Sequence, residues 1–221
     1  MIDGQHRLFG YSNSQYKSTN TIPVVALVNL GRSEQVKIFM QINENQKSVG
    51  KDLQNTLNAE ILWSSDKLQE KLIALKSKIA INLGENRLSP FFDKISIGED
   101  KKLISTDAII RGLKRTDFFG KVKKNVLELK GTFFFGDLDR AYQEISDYLF
   151  SAFGLLKERL EITWNDKDNL VVSNRGFLGI ILAMNDIVNY LLELKQISSN
   201  STPKIIFENH GPTLKHLPRS F

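Results

Sequence analysis

Apolar residues recur at helical spacing along most of the chain. The two longest stripes predict helices over residues 137–159 and 176–195, and Asn174 is placed to cap the second. Shorter stripes predict further helices that begin near Ser33, Ser48, Ser65 and Ser105. The pattern therefore predicts a predominantly helical protein.

Two stretches have the pattern of strands. Residues 22–28, Ile-Pro-Val-Val-Ala-Leu-Val, form an almost continuous apolar run, which is typical of a strand buried on both faces. Residues 91–105 alternate around a turn at residues 98–100, which favours a short hairpin. Together with the helices, these stretches predict the α+β class.

Polar and chain-breaking residues divide this pattern. The stretch from Asn86 to Pro90 interrupts the helices and predicts a boundary between a module of residues 1–86 and a helical domain of residues 87–197. Residues 198–221 begin with a polar run that contains Pro203, so a flexible tail is expected there.

Composition narrows the function classes. Thirty basic against 25 acidic residues give a formal charge of +5, which favours a polyanionic partner. The absence of Cys excludes disulfides, thiolate catalysis and Cys-ligated zinc. No apolar run reaches the length of a membrane span and no signal peptide is recognisable, so a cytoplasmic protein without a membrane partner is expected.

The first residues have the layout of an anion-binding turn. Asp3 can cap a helix over residues 5–11, and Gly4 lets the backbone approach a ligand closely. Gln5, His6 and Arg7 follow in the first helical turn, where free N–H groups and the helix dipole attract phosphate or carboxylate. An exposed, capped helix has the same pattern, so both interpretations stay open.

The string from Asp3 to Arg7 resembles the signature of the DGQHR-domain family, whose best-known members are the DndB proteins associated with bacterial DNA phosphorothioation. Residues 22–28 and 39–49 follow in that family's order and spacing. The turn is similar, more distantly, to the phosphate-binding turn of the ParB/sulfiredoxin superfamily, whose later Glu-Asn-x-x-basic stretch is resembled by residues 44–47, with one residue fewer before the basic position. Sulfiredoxins carry their reactive Cys where this chain has Gln5, so sulfinic-acid repair is excluded.

This resemblance implies a fold and a site. The fold is an incomplete ParB/sulfiredoxin-like α/β module, short of its first strands because only Met1 and Ile2 precede the motif, followed by a helical domain. The implied function is that of a DNA-associated regulatory or accessory protein of a DNA-modification or defence system. The implied phosphate-binding or nucleotide-binding residues are Asp3, Gly4, Gln5, His6, Arg7, Asn43, Asn45, Gln46 and Lys47.

An enzyme is the alternative. In an NTPase or nuclease of the wider superfamily, the same turn would hold a nucleoside triphosphate with Mg²⁺, and Glu44 would be the catalytic base. The accessory protein is preferred because the sequence has no convincing pair of carboxylates for a metal-dependent nuclease. A homo-oligomer stays open.

A basic cluster is the second candidate surface. Its residues are Arg111, Lys114, Arg115, Lys121, Lys123 and Lys124. With Phe118 and Phe119 between them, they have the mixture that tracks a phosphate backbone and stacks on bases. A solvated helix end whose two Phe pack inward is the preferred explanation. No metal site is predicted, since Asp137 and Asp139 are better explained as an acidic helix start.

Overall fold

The computed structural model describes residues 5–31, 34–35, 38, 41–42, 50–160, 164–166 and 169–198. Six α-helices are described there: α1 Gln5–Ser12, α2 Lys51–Ile61, α3 Leu68–Glu85, α4 Thr106–Lys114, α5 Leu138–Arg159 and α6 Asn174–Glu193. Four short strands accompany them: β1 Ile95–Ser96, β2 Ile104–Ser105, β3 Lys121–Lys123 and β4 Val126–Leu129. Helix accounts for 54% and strand for 6%, so the protein is α+β and mostly helical, as predicted.

The chain divides into two compact units, Met1–Val49 and Gly50–Phe221. The predicted boundary at residues 86–90 lies inside the second unit. Helix α3 precedes that stretch and packs against α4 and α5, which follow it. One continuous core therefore extends across residues 86–90.

The first unit contains the predicted helix α1 but not the predicted strand. Residues 22–28 form no regular element, and Val24 and Val25 are 79% and 85% exposed. A strand buried on both faces needs strands beside it, and the described part of this unit contains none. Residues 34–35, 38 and 41–42 are helical, in agreement with the helix predicted after Ser33, although Ser33 itself lies outside the described residues.

Helix α3 is central to the second unit. Its apolar stripe includes Leu72, Leu75 and Ile79, which are buried, and the helix contacts α2, α4 and α5. This is the stripe from which the helix was predicted, so the apolar period locates the core correctly.

Helix α6 packs against α4 and buries Phe177, Ile181, Met184 and Val188. By length and composition it is also the one helix in the described part of the chain that could cross a membrane, whereas the sequence led us to expect no such segment. Its apolar face is occupied by the core.

A group of aromatic rings joins the helices of the second unit. Phe91 lies 4.7 Å from Phe153 and 5.4 Å from Trp164, between ring centroids, and Phe153 stacks on Phe177 at 5.2 Å. The indole N–H of Trp164 donates to the carbonyl of Pro90 at 3.1 Å. Trp164 is 1% exposed and therefore belongs to the core.

Helix ends were predicted with mixed success. Asp137, where the helix was predicted to start, caps α5 by accepting from the Arg140 N–H at 2.9 Å, and Ser105 caps α4 near its predicted start. The cap of α6 is Ser173, not Asn174. Asn174 instead accepts from the backbone N–H of Ser105 at 2.8 Å and joins the start of α6 to that of α4. Helices α2 and α3 begin at Lys51 and Leu68, three residues after the predicted caps.

The prediction of a hairpin over residues 91–105 is wrong, because the two strands there do not pair antiparallel. A turn does follow Ile97, whose carbonyl accepts from the Asp100 N–H at 3.2 Å, but β1 and β2 pair in parallel, with Ile95 opposite Ile104. The chain reverses again near Lys102, which contacts Asp93 at 2.6 Å. This second reversal allows Ile95 and Ile104 to be buried in the same core.

Candidate nucleic-acid interface

The predicted N-terminal phosphate turn is described only in part. Gln5, His6 and Arg7 lie in the first turn of α1, where the motif predicts them, and their side chains are outside the described set. The remaining predicted site residues also lie outside the described residues: Asp3, Gly4, Asn43, Glu44, Asn45, Gln46 and Lys47. The anion site at this turn therefore stays a prediction.

The basic cluster includes a hairpin that the sequence did not predict. Strands β3 and β4 are antiparallel, with Lys123 opposite Val126. The two turn residues, Lys124 and Asn125, both have positive φ, at 46° and 67°, as a type I′ turn requires. Asn often occupies such positions and Lys rarely does, so the usual sequence signal was missing.

One face of the hairpin packs on the core, and the outward face carries lysines opposite the exposed apolar side chains of Val126 and Leu129. Val122 and Leu127 are paired across the strands and pack against the core. Lys121 and Lys123 alternate with Val122 along the strand, so they point to the opposite face, where both are exposed.

The base of the hairpin is closed by two glycines. A Cβ on Gly120 would lie 2.1 Å from the carbonyl oxygen of Leu129, and one on Gly131 would lie 2.3 Å from that of Phe118. Gly120 also has a φ of 67°. Any side chain at either position would force the strands apart.

The tip of the hairpin is held by Asn125. Its side-chain oxygen accepts the backbone N–H of Leu68, and its amide donates to the carbonyl of Asp66 at 3.1 Å. One side chain therefore caps the start of α3 and fixes the hairpin against it. Both ends of the hairpin are thus attached to the fold.

Most of the net charge of the protein lies around this hairpin. Residues 106–130 contain seven basic and three acidic residues, and so carry four of the five net positive charges. Arg111 pairs with Asp107 at 3.0 Å. Six exposed basic residues of this stretch have no ion pair within the described part of the chain. Lys130 is one of them, and we call the other five the basic segment: Lys114, Arg115, Lys121, Lys123 and Lys124.

Phe118 and Phe119 pack inward. They are 0% and 3% exposed, and Phe118 makes edge-to-face contacts with Phe133 and Tyr148 at 4.9 and 5.8 Å. Neither ring is accessible to a base. The interface is therefore one of charges without stacking.

A further cation lies beneath the basic segment. Lys76 of α3 is 8% exposed, and its ammonium group lies 4.0 Å from the centroid of the Phe119 ring. It donates to the carbonyl of Leu72 at 3.3 Å. Burial, and secondarily the positive charge of Lys114, lowers the pKa of Lys76 from 10.5 to about 7. Sequence reasoning missed this residue, although its place four residues after Leu72 puts it in the apolar stripe.

Asp117 attaches the start of the 3₁₀ turn Asp117–Phe119 to α6. Its backbone N–H donates to Asn185 at 2.8 Å, and its carboxylate accepts from the amides of Asn185 and Asn189 at 3.3 and 2.8 Å. The residue is thus bonded to two successive turns of α6. This long-range contact leaves no local signal in the sequence.

The described residues contain no group of three or more His, Cys, Asp or Glu side chains that could hold a metal ion. No family model, curated protein or solved structure matches the chain. The basic segment is therefore the best-described candidate site, and its chemistry is that of anion binding.

Proposed function

We propose that the protein is a DNA-associated accessory protein that binds DNA phosphates through its basic segment. The observation that carries this proposal is a rigid, exposed hairpin whose lysines have no ion pair among the described residues. Lysines that are free of carboxylates can neutralise phosphates and release the counterions condensed on DNA. The resemblance to DGQHR-domain proteins supports the same class of partner.

The predicted N-terminal turn has a place in this proposal. Arg7 and the free N–H groups at the start of α1 would bind a further phosphate. By that resemblance, the protein would act in a DNA-modification or defence system, as a regulator or accessory subunit.

The test is the affinity for duplex DNA, measured by fluorescence anisotropy over a range of salt concentrations. The variant is Lys121→Gln/Lys123→Gln/Lys124→Gln, and the matched control replaces three exposed lysines elsewhere, Lys101, Lys157 and Lys195, by Gln. Since each phosphate contact contributes about 0.9 to the slope of log affinity against log salt, we expect the hairpin variant to lose a slope of about 2–3. The control should keep its slope nearly unchanged.

Equal losses in the two triple variants would overturn the assignment of the site, because they would show that only total charge matters. An Arg7→Ala variant belongs to the same titration. We expect it to lower the slope by about 1 if the N-terminal turn holds a phosphate.

A further inference from the structure

We infer that residues 22–28, which we call the apolar segment, pair as an antiparallel strand with the same residues of a second copy of this chain. The two-fold axis of this dimer passes between the two copies of Val25, so that Ile22 lies opposite Val28 of the second copy. This dimer goes beyond the proposed function and does not rest on it, because only the first unit forms it.

The first reason is the exposure of the apolar segment. Its five large apolar side chains are between 37% and 85% exposed: Ile22, Val24, Val25, Leu27 and Val28. Single exposed apolar residues are ordinary on a protein surface, but an uninterrupted run of them marks a surface that another chain covers. Residues 18–31 contain no charged side chain, so no charge opposes the burial of this run.

The second reason is the unused backbone of the apolar segment. Residues 20–28 make no turn or bend, and the described part of the chain gives the N–H and C=O groups of residues 22–28 no hydrogen-bond partner. The stretch follows a turn in which the Asn20 N–H donates to the Tyr16 carbonyl at 3.1 Å, and it ends at Asn29, whose φ is 60°. It therefore has the length of an ordinary strand and the β-branched composition that strands favour.

Pro23 determines which edge of the apolar segment pairs. Successive residues of a strand direct their N–H and C=O groups to opposite edges, so residues 22, 24, 26 and 28 share one edge, and Pro23 shares the other with residues 25 and 27. Proline has no N–H to donate, so the first edge is complete and the second is interrupted. A strand therefore adds to the first edge alone, which gives a dimer and not a polymer.

The occupant of this edge is a second copy because the apolar segment is complementary to itself. When Val25 lies opposite Val25, all seven residues of one copy face the seven residues of the other, and each cross-strand pair is apolar. A shift by two residues in either direction places apolar side chains opposite Asn20 or Asn29 instead. The nearest charged residues, Lys17 and Arg32, lie outside the paired residues, so like charges do not meet.

The same register tolerates Pro23. Hydrogen-bonded pairs alternate with non-hydrogen-bonded pairs in an antiparallel ladder, and here the first kind joins residue 22 to 28 and residue 24 to 26. Pro23 lies opposite Leu27 in a pair of the second kind, so its missing N–H faces away from the second copy. Val25 forms a non-hydrogen-bonded pair with itself, in which the two Cα atoms are about 4.5 Å apart.

Single cysteines test this register directly, because the full chain contains no Cys. Val25→Cys places two thiols in the closest pair, within the roughly 4.4–6.8 Å between Cα atoms that a disulfide spans. Val24→Cys is the matched control. Val24 is 79% exposed and Val25 is 85% exposed, but the two copies of residue 24 lie diagonally, about 7–8 Å apart.

We expect Val25→Cys to form a disulfide-linked dimer about tenfold faster than Val24→Cys during mild oxidation at low protein concentration. Electrophoresis without reductant measures both rates. Equal rates would overturn the dimer, because they would indicate random collision or a parallel pairing. The absence of a linked dimer in both variants would overturn it as well.

Two proline variants test the pairing edge by sedimentation velocity at several concentrations. Ala26→Pro removes an N–H from the pairing edge of each copy, whereas Leu27→Pro removes one from the edge that Pro23 already interrupts. We expect the unmodified chain to sediment as a dimer that dissociates on dilution. Ala26→Pro should raise its Kd about tenfold or more, and Leu27→Pro should change it little.

A chain that is monomeric at every concentration, or equal effects of the two prolines, would contradict the dimer. Assemblies larger than a dimer would show that Pro23 does not close the outer edge. Both substituted positions are exposed, so neither variant removes a buried side chain.

Discussion

Lys76 places an ammonium group in a buried position of α3, where the charged form is disfavoured. It occupies an apolar position of α3, where a Met or Leu would pack without any electrostatic cost. Its aliphatic chain fills the site and its ammonium group lies over the ring of Phe119. Burial, and secondarily the positive charge of Lys114, disfavours the charged form of this lysine, so its position costs the folded protein free energy.

A prediction for pH follows from this residue. Burial and the charge of Lys114 lower the pKa of Lys76 in the folded protein from 10.5 to about 7, so the unfolded chain binds more protons between those two pH values. The free energy of unfolding should therefore rise as the pH increases from about 7 to 10.5, and the penalty is fully present below pH 7.

Lys76→Met removes this penalty while it keeps the volume of the side chain. We expect the variant to raise the free energy of unfolding near pH 6 by about 1–3 kcal/mol and to reduce its increase at alkaline pH. Urea denaturation measures both effects, with Lys78→Met as the control. A less stable Lys76→Met protein with an unchanged pH profile would contradict the assignment.

At the scale of elements, side chains from distant segments accept hydrogen bonds from the donors at the start of a helix. The first turn of α4 is bonded to Asp52 of α2, whose carboxylate accepts from the Thr106 hydroxyl at 2.7 Å and from the Asp107 N–H at 3.1 Å. Asn174 of α6 accepts from the Ser105 N–H at the same point. Three helices therefore meet where α4 begins.

We predict that Asp52→Ala lowers the free energy of unfolding by about 1–2 kcal/mol, because it removes a cap and leaves partly buried donors unpaired. Asp52→Asn keeps an acceptor oxygen and should lose less. Chemical denaturation of the two variants decides the question, and equal losses would show that charge, not hydrogen bonding, stabilises this junction.

The helices could be predicted from the sequence, whereas the contacts between distant segments could not. Long apolar stripes identified α3, α5 and α6, since burial of one helix face depends on local spacing alone. Partners from elsewhere in the chain were not predictable: Asn174 was expected to cap its own helix and bonds to Ser105 instead. For the same reason residues 22–28 were expected to form a strand, although their described surroundings offer no neighbouring strand.

The candidate site was predictable in composition but not in geometry. The basic residues of positions 111–124 were identified from the sequence, and the inward packing of Phe118 and Phe119 matches the preferred explanation. The hairpin was missed because its turn is Lys-Asn, and Lys76 was missed because it lies about forty residues before the cluster. The N-terminal turn keeps its predicted helix and remains a prediction as a site.

At the scale of the molecule, the core belongs to the second unit. Its buried apolar residues extend from Ala59 to Ile197, while no described apolar residue of the first unit is buried, and Val24 and Val25 are exposed. Because burial of apolar surface is the dominant stabilising contribution, the second unit should hold most of the stability of the protein.

We therefore predict that a fragment of residues 50–221 folds on its own and unfolds in one cooperative transition. Its midpoint should lie within about 5 °C of that of the full chain, since the described residues before position 50 include no buried side chain. Circular dichroism during heating measures both. A fragment that is unfolded, or that melts without cooperativity, would show that residues 1–49 contribute to the core.

The hairpin that carries Lys121 and Lys123 is attached at its two ends, by Gly120 and Gly131 at the base and by Asn125 at the tip. The exposed positions between these attachments make no contribution to the core. Their charge can therefore change without cost to the packing of the core. A protein engineer could therefore replace the exposed residues of this hairpin by a new binding sequence. Gly120, Asn125 and Gly131 would be kept, because they preserve the register of the strands.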